Sequence, residues 1–202
     1  MTIRNIFIDF GGVLVRTEDK GPRTRQAEAL GMTYRELEKI VFEGETSRQA
    51  STGEIPEEAH WQAVAQALRM PRAEADKVTA AFFAGDRADT VLLDMLRSLR
   101  PERQVCLISN AWSGLRAFIM EQGFADVFDF MVISAEVGLM KPDPRIYRLA
   151  LEELAARPEE SVFIDDVQAN VDGARSVGMA GIHFKDPAAA LDELKLLLSN
   201  HR

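Results

Sequence analysis

Short apolar runs alternate along the chain with stretches of helical periodicity. Ile6-Phe7-Ile8, Val105-Cys106-Leu107-Ile108, Met131-Val132-Ile133, Val162-Phe163-Ile164 and Gly181-Ile182-His183-Phe184 are nearly continuous rather than alternating, the pattern of strands buried on both faces of a parallel sheet. Amphipathic stretches at residues 90–99, 113–122, 144–156, 169–177 and 187–198 follow the helical period, and Gly123 and Gly178 stand where helices commonly end. The alternation predicts an α/β fold with a doubly wound parallel sheet.

The pattern breaks between the first two runs. Residues 16–88 show helical periodicity and no convincing strand, which predicts a helical lobe of residues 16–88 inserted into a core of residues 1–15 and 89–202. Pro56-Glu57-Glu58 is a good helix start, and Trp61, Val64, Ala65 and Leu68 then form one apolar face. A second helix is expected over residues 72–83, with the lobe's boundaries near Arg16 and Gly85-Asp86.

A chain of 202 residues suits one core with an insertion better than two full domains. Its 24 lysines and arginines against 32 aspartates and glutamates give a net charge of -8, which opposes attraction to nucleic acid or anionic lipid and favours a small diffusible substrate. Cys106, the single cysteine, has no intrachain partner and reads as a buried structural thiol. No segment approaches the ~20 apolar residues of a membrane span, so the expected setting is cytoplasmic, without a membrane partner.

Ligands in doubly wound sheets bind beyond the carboxyl ends of the strands. The residues there are Asp9, Ser109 with Asn110, and Asp165 with Asp166, and the loop after the third run adds Lys141. Three gathered carboxylates repel one another unless protonated or held by a cation. All-oxygen ligation without a Cys/His cluster favours Mg²⁺ over zinc. Against these readings, Ser109-Asn110 could serve only as a helix cap and Lys141-Pro142 as a solvated turn. His60 reads as a surface or cap-core residue, His183 and His201 as structural or irrelevant, Trp61 as core, and Trp112 as pocket wall or packing.

Phe7-Ile8-Asp9-Phe10-Gly11-Gly12-Val13-Leu14, Leu107-Ile108-Ser109-Asn110, Lys141-Pro142-Asp143-Pro144 and Phe163-Ile164-Asp165-Asp166-Val167-Gln168-Ala169-Asn170 resemble, in order and spacing, the four motifs of the haloacid dehalogenase superfamily. The resemblance implies a Rossmann-like core, a helical cap that selects substrate, and a Mg²⁺-dependent phosphatase acting on a small phosphorylated metabolite. In that scheme Asp9 is the nucleophile that forms an aspartyl phosphate. Asp9, the backbone carbonyl of Gly11, Asp165 and Asp166 are the implied metal ligands, Asp165 directly or through water. Lys141 and Ser109, with Asn110 alongside, hold the phosphoryl group, and Asn170 orients the acidic loop from behind.

Gly11 departs from the pattern. Phosphatases of the superfamily usually have an aspartate two residues after the nucleophile as general acid and base, and glycine supplies a carbonyl but no proton. Members with a similar Asp-x-Gly first motif are assigned to sugar phosphates, including glucose 1-phosphate, so a sugar phosphate is one implied substrate. Two other readings compete: a catalytically weak binding or regulatory module on the same fold, and a 2-haloacid dehalogenase, which needs no proton donor but has no use for Asp165-Asp166 as a metal site.

Overall fold

The computed structural model describes residues 2–199, so His201 lies outside the described residues. The apolar runs form β1 (Asn5–Ile8), β4 (Gln104–Ser109), β5 (Phe130–Ile133), β6 (Ser161–Asp165) and β7 (Ala180–His183), joined in one parallel sheet of order β5-β4-β1-β6-β7. β1 is central, and the strand order reverses beside it. Alternate side chains leave the sheet on opposite faces and both sets are buried: Ile6, Ile8, Val105, Leu107, Val162 and Ile164 pack on one side, Phe7, Cys106, Ile108 and Phe163 on the other.

Helices cover both faces. α6 (Thr90–Ser98), α7 (Leu115–Glu121) and α11 (Pro187–Ser199) bring Leu92, Leu96, Ile119 and Leu194 to the first face. α9 (Pro144–Glu153) and α10 (Gln168–Ser176) bring Ile146, Tyr147, Leu151 and Ala174 to the second, while the single-turn α8 (Ser134–Val137) follows β5. Asp143 caps α9 by accepting from the N–H of Arg145, and Pro144 occupies the first turn, where its missing N–H costs nothing. This is the doubly wound α/β core that the alternation predicts. Burial raises the Cys106 thiol well above its ordinary range, as fits a structural role.

Between β1 and α6 the chain builds a helical layer from α1 (Gly21–Ala29), α2 (Tyr34–Glu38), a π-helical turn (Lys39–Glu43), α3 (Glu45–Ser51), α4 (Glu57–Ala67) and α5 (Arg72–Phe83). Ala27, Leu37, Val41, Trp61, Val64, Leu68, Val78 and Phe82 form its own apolar cluster, against which Trp112 also packs. α4 and α5 lie where the periodicity places them.

The expectation of no strand in residues 16–88 is corrected. β2 (Val15–Thr17) and β3 (Asp86–Ala88) pair antiparallel where the chain enters and leaves the helical layer. Each is three residues long, Val-Arg-Thr and Asp-Arg-Ala, too short and polar to show as an apolar run. Side chains reinforce the ladder: Thr17 Oγ1 donates to Asp86 Oδ1 at 2.6 Å, and Arg16 pairs with Asp89 at 2.9 Å. Among the described residues, no helix is long and apolar enough to cross a membrane.

Candidate active site

β1 and β6 are in register with Ile8 opposite Ile164, so the next residue of each strand brings Asp9 alongside Asp165. Asp9 continues the ladder, its N–H donating to Ile164 O at 2.9 Å. Ser109 ends β4 on the other side of β1, and Asp166 follows Asp165 directly. One carboxylate oxygen from each of Asp9, Asp165 and Asp166 can lie within 4.8 Å of the others.

Lys141 reaches into this cluster, its Nζ lying 2.7 Å from Asp9 Oδ1 and 2.6 Å from Asp165 Oδ2 with the side chain almost wholly buried. Its backbone is fixed by Asn110, whose Oδ1 accepts from Lys141 N at 2.8 Å and whose Nδ2 donates to Lys141 O at 2.9 Å. Asn110 therefore uses both ends of its amide to place the lysine, although the residue also borders the cavity. Asp165 is held from three sides, by Lys141, by the N–H of Val167 at 2.8 Å and by Asn170 Nδ2 at 3.0 and 3.2 Å. Asp166 is exposed to the cavity.

Electrostatics follow from this crowding. Burial, opposed by Lys141 and reinforced by the Asp165 charge, pushes the Asp9 carboxyl up to about 6. Burial and Asp165 also raise Asp166. Among the described residues, three carboxylates against one ammonium leave two negative charges unbalanced, the charge of one divalent cation. The donor set is all oxygen and suits a hard ion. The backbone makes room for it: at Gly12, φ is +79° and an added Cβ would lie 2.2 Å from Asp166 Oδ2, so a side chain there would displace that carboxylate. The residues present fit a divalent cation held by Asp9 and Asp166.

Two features escape the sequence reading. His183 Nε2 lies 2.9 Å from the backbone oxygen of Asp166, because β7 is in register with Asp165 opposite His183; its place at a strand's carboxyl end was the available signal. Glu57 ties the helical layer to the core, accepting from Trp61 Nε1 at 3.0 Å and from Gly114 N at 2.7 Å. Trp112 adds a second tie, donating from Nε1 to Ser47 O at 3.3 Å. His60 is fully buried, with Nδ1 3.0 Å from Thr46 Oγ1 and its ring 4.7 Å from that of Trp112. Between the two layers lies a cavity of about 1200 Å³ that reaches Gly11, Gly12, Ser109 and Asp166.

A doubly wound sheet carrying an aspartate after its central strand, a buried lysine and an acidic pair defines a class, and the family comparison agrees with it. The chain belongs to the haloacid dehalogenase-like hydrolase family, whose model matches residues 3–178. Along its whole length it is similar to the sesquiterpene phosphatase astK of Aspergillus oryzae, with 26% identity over 199 residues, 98% of this chain and 97% of that one. It is 39% identical over 95 residues to the bifunctional epoxide hydrolase 2 of Rattus norvegicus, covering 45% of this chain but 17% of the rat enzyme. Its fold matches that of a HAD family enzyme from Bacteroides thetaiotaomicron in complex with magnesium and inorganic phosphate, at a TM-score of 0.75 and 23% identity over 91% of this chain and 96% of the other.

Proposed function

We propose that this protein is a Mg²⁺-dependent phosphatase that hydrolyses a small phosphorylated metabolite through an aspartyl phosphate on Asp9. The observation that carries the reading is the placement of Asp9, buried at the carboxyl end of the central strand between Lys141 Nζ and the acidic pair. The full-length likeness to a sesquiterpene phosphatase supports it.

Asp9 and Asp166 would hold the ion, with the Gly11 carbonyl alongside. Asp165, occupied by Lys141, Val167 and Asn170, would hold the lysine in place and reach the ion through water. When bound, Mg²⁺ would offset the repulsion between the Asp9 carboxylate and the incoming phosphoryl group. Lys141, pinned at its backbone by Asn110, fixes the Asp9 carboxylate and places a positive charge beside the phosphoryl oxygens. Ser109, at the end of β4, supplies a hydroxyl donor to the same oxygens. A carboxylate oxygen of Asp9 attacks phosphorus, the bond from phosphorus to the ester oxygen breaks, and the alkoxide departs and takes its proton from water. Water then attacks phosphorus, releasing phosphate and restoring Asp9. The helical layer is the cap over this reaction, residues 16–88 closing on a core of residues 1–15 and 89–202.

The test is phosphate release from a panel of phosphorylated metabolites with and without Mg²⁺, run beside halide release from short 2-haloacids. Metal-dependent phosphate release is expected. Halide release alone would establish a dehalogenase, and silence in both a binding module.

A further inference from the structure

The cavity above the phosphoryl site is walled by seven aromatic rings, Phe10, Phe42, Trp61, Phe83, Trp112, Phe118 and Phe124, drawn from both layers. They support one another: Phe42 stacks on Trp112 at 6.0 Å, Trp61 meets Trp112 edge-on at 5.0 Å, and Phe10 meets Phe118 edge-on at 6.0 Å. At about 1200 Å³ the space far exceeds what a phosphate group alone would fill.

The charged side chains in the same wall are already engaged. The Arg23 guanidinium donates to Phe82 O, Tyr34 Oη and Glu38 Oε1 at 3.0–3.1 Å and lies 3.8 Å from the centre of the Phe82 ring. Arg16 donates to Val13 O and Asp89, and both carboxylate oxygens of Glu57 accept hydrogen bonds within the protein. A sugar entering here would lose water from its hydroxyls and meet mainly rings and committed ion pairs, with Ser47, Ser51, Thr79 and Gln122 among the neutral polar groups of that wall, whereas a hydrocarbon would lose only unfavourable hydration.

We infer that the substrate is the phosphate ester of a bulky hydrocarbon alcohol, its phosphate at Asp9 and Asp166 and its hydrocarbon in the aromatic cavity. This rests on the phosphatase reading and sets aside the sugar phosphate that the Asp-x-Gly motif implies.

The test measures the cavity separately from the chemistry. Alkylphosphonates, whose carbon–phosphorus bond is not cleaved, are used as competitive inhibitors of Mg²⁺-dependent acetyl phosphate hydrolysis, with glucose 6-phosphate as the polar comparison. The inhibition constant should fall about fourfold with each methylene added from ethyl to octyl. Octylphosphonate should bind at least tenfold tighter than glucose 6-phosphate. Phe42 and Phe118, 46% and 42% exposed, can be truncated without opening the core, and F42A or F118A should each weaken octylphosphonate severalfold more than ethylphosphonate. A flat chain-length series, tighter binding of glucose 6-phosphate, or an unaltered series in both variants would overturn the inference while leaving the phosphatase standing. If acetyl phosphate is not hydrolysed at all, the phosphatase reading fails, and calorimetric titration with the same phosphonates still decides what the cavity binds.

Discussion

Lys141 Nζ lies 2.7 Å from Asp9 Oδ1, a buried contact that joins the loop after α8 to the end of the central strand. Among the described residues it is the one ammonium set against the acidic cluster, so its removal leaves buried carboxylates without a counter-charge. Lys141→Met should abolish turnover and lower stability at pH 7.5 by about 3–5 kcal/mol, the usual cost of breaking a buried pair. The deficit should shrink near pH 5, where Asp9, pushed up to about 6 even with the lysine present, takes up a proton. Thermal unfolding of both proteins at the two pH values checks this, and an equal deficit at each would contradict the assigned pairing.

The same shift fixes the sign of the pH dependence in metal-free protein. The folded-state pKa of Asp9 lies above its ordinary value of 3.8, so its contribution favours the folded state at acid pH and is lost as pH rises through about 6. With EDTA present, Asp9→Asn should therefore raise the melting temperature at pH 7.5 by roughly 2–4 °C, on the order of 1 kcal/mol, with little effect near pH 4. The same variant should release no phosphate, because the amide is a poor nucleophile.

Asp166 and Gly12 should fail together in metal binding. Asp166→Ala deletes a proposed ligand, and Gly12→Ala drives a Cβ to within 2.2 Å of Asp166 Oδ2 while straining a φ of +79°. In each variant the stabilisation that Mg²⁺ gives the parent protein at pH 7.5 should disappear, as read by thermal shift across a magnesium titration. An undiminished response in D166A would remove Asp166 from the ion.

How much of this was legible follows from residue type and register. Asp9, Ser109, Asp165 and Asp166 stand directly at or after buried apolar runs, and parallel pairing carries such positions to one edge, so their gathering is readable from sequence. Asn110 is a different case. Its position marked it as a substrate ligand, but its amide meets the backbone of Lys141 thirty-one residues later, a loop contact that no local pattern encodes. β2 and β3 were hidden because three polar residues have no periodicity to read. Glu57 looks like an ordinary acidic residue in a helix's first turn, and only the packing of α4 over Gly114 shows its second partner.

That contact has its own consequence. Glu57 Oε2 accepts from Gly114 N at 2.7 Å, and a Cβ on Gly114 would also come within 2.7 Å of that oxygen. Glu57→Ala and Gly114→Ala should each loosen the junction between the helical layer and the core. Gly114→Ala, which disturbs one hydrogen bond, should cost about 1–2 kcal/mol, and Glu57→Ala, which removes the bond from Trp61 as well, somewhat more, each with a raised KM. Additive losses in the double variant would show that the two residues act separately, whereas the contact requires that they do not.

The remaining prediction concerns the proton that Gly11 cannot supply. Glu18, Asp19 and His60 are candidates by which the cap could replace it, while the cavity-lining Glu38, Glu57 and Asp86 are engaged by Arg23, by Trp61 with Gly114, and by Thr17. Glu18 is exposed and turned toward Arg16, Asp19 accepts from the N–H of Gly21, and His60 is buried behind Trp112. Without a donor beside Asp9, an alkoxide leaving group must depart unprotonated, so acyl phosphates and phosphoanhydrides should react faster than esters of primary alcohols. The second half-reaction also lacks a base, so phosphoenzyme should accumulate and give a burst of leaving group before the steady rate. The backbone permits a direct repair: a Cβ built on Gly11 meets nothing within 4 Å. Gly11→Asp should fold normally, raise turnover of primary-alcohol phosphates by about 100-fold or more, and remove the burst. Rapid-quench measurements on both proteins decide it, since a parent enzyme without a burst, together with a G11D variant no faster on alkyl phosphates, would mean that the proton comes from elsewhere.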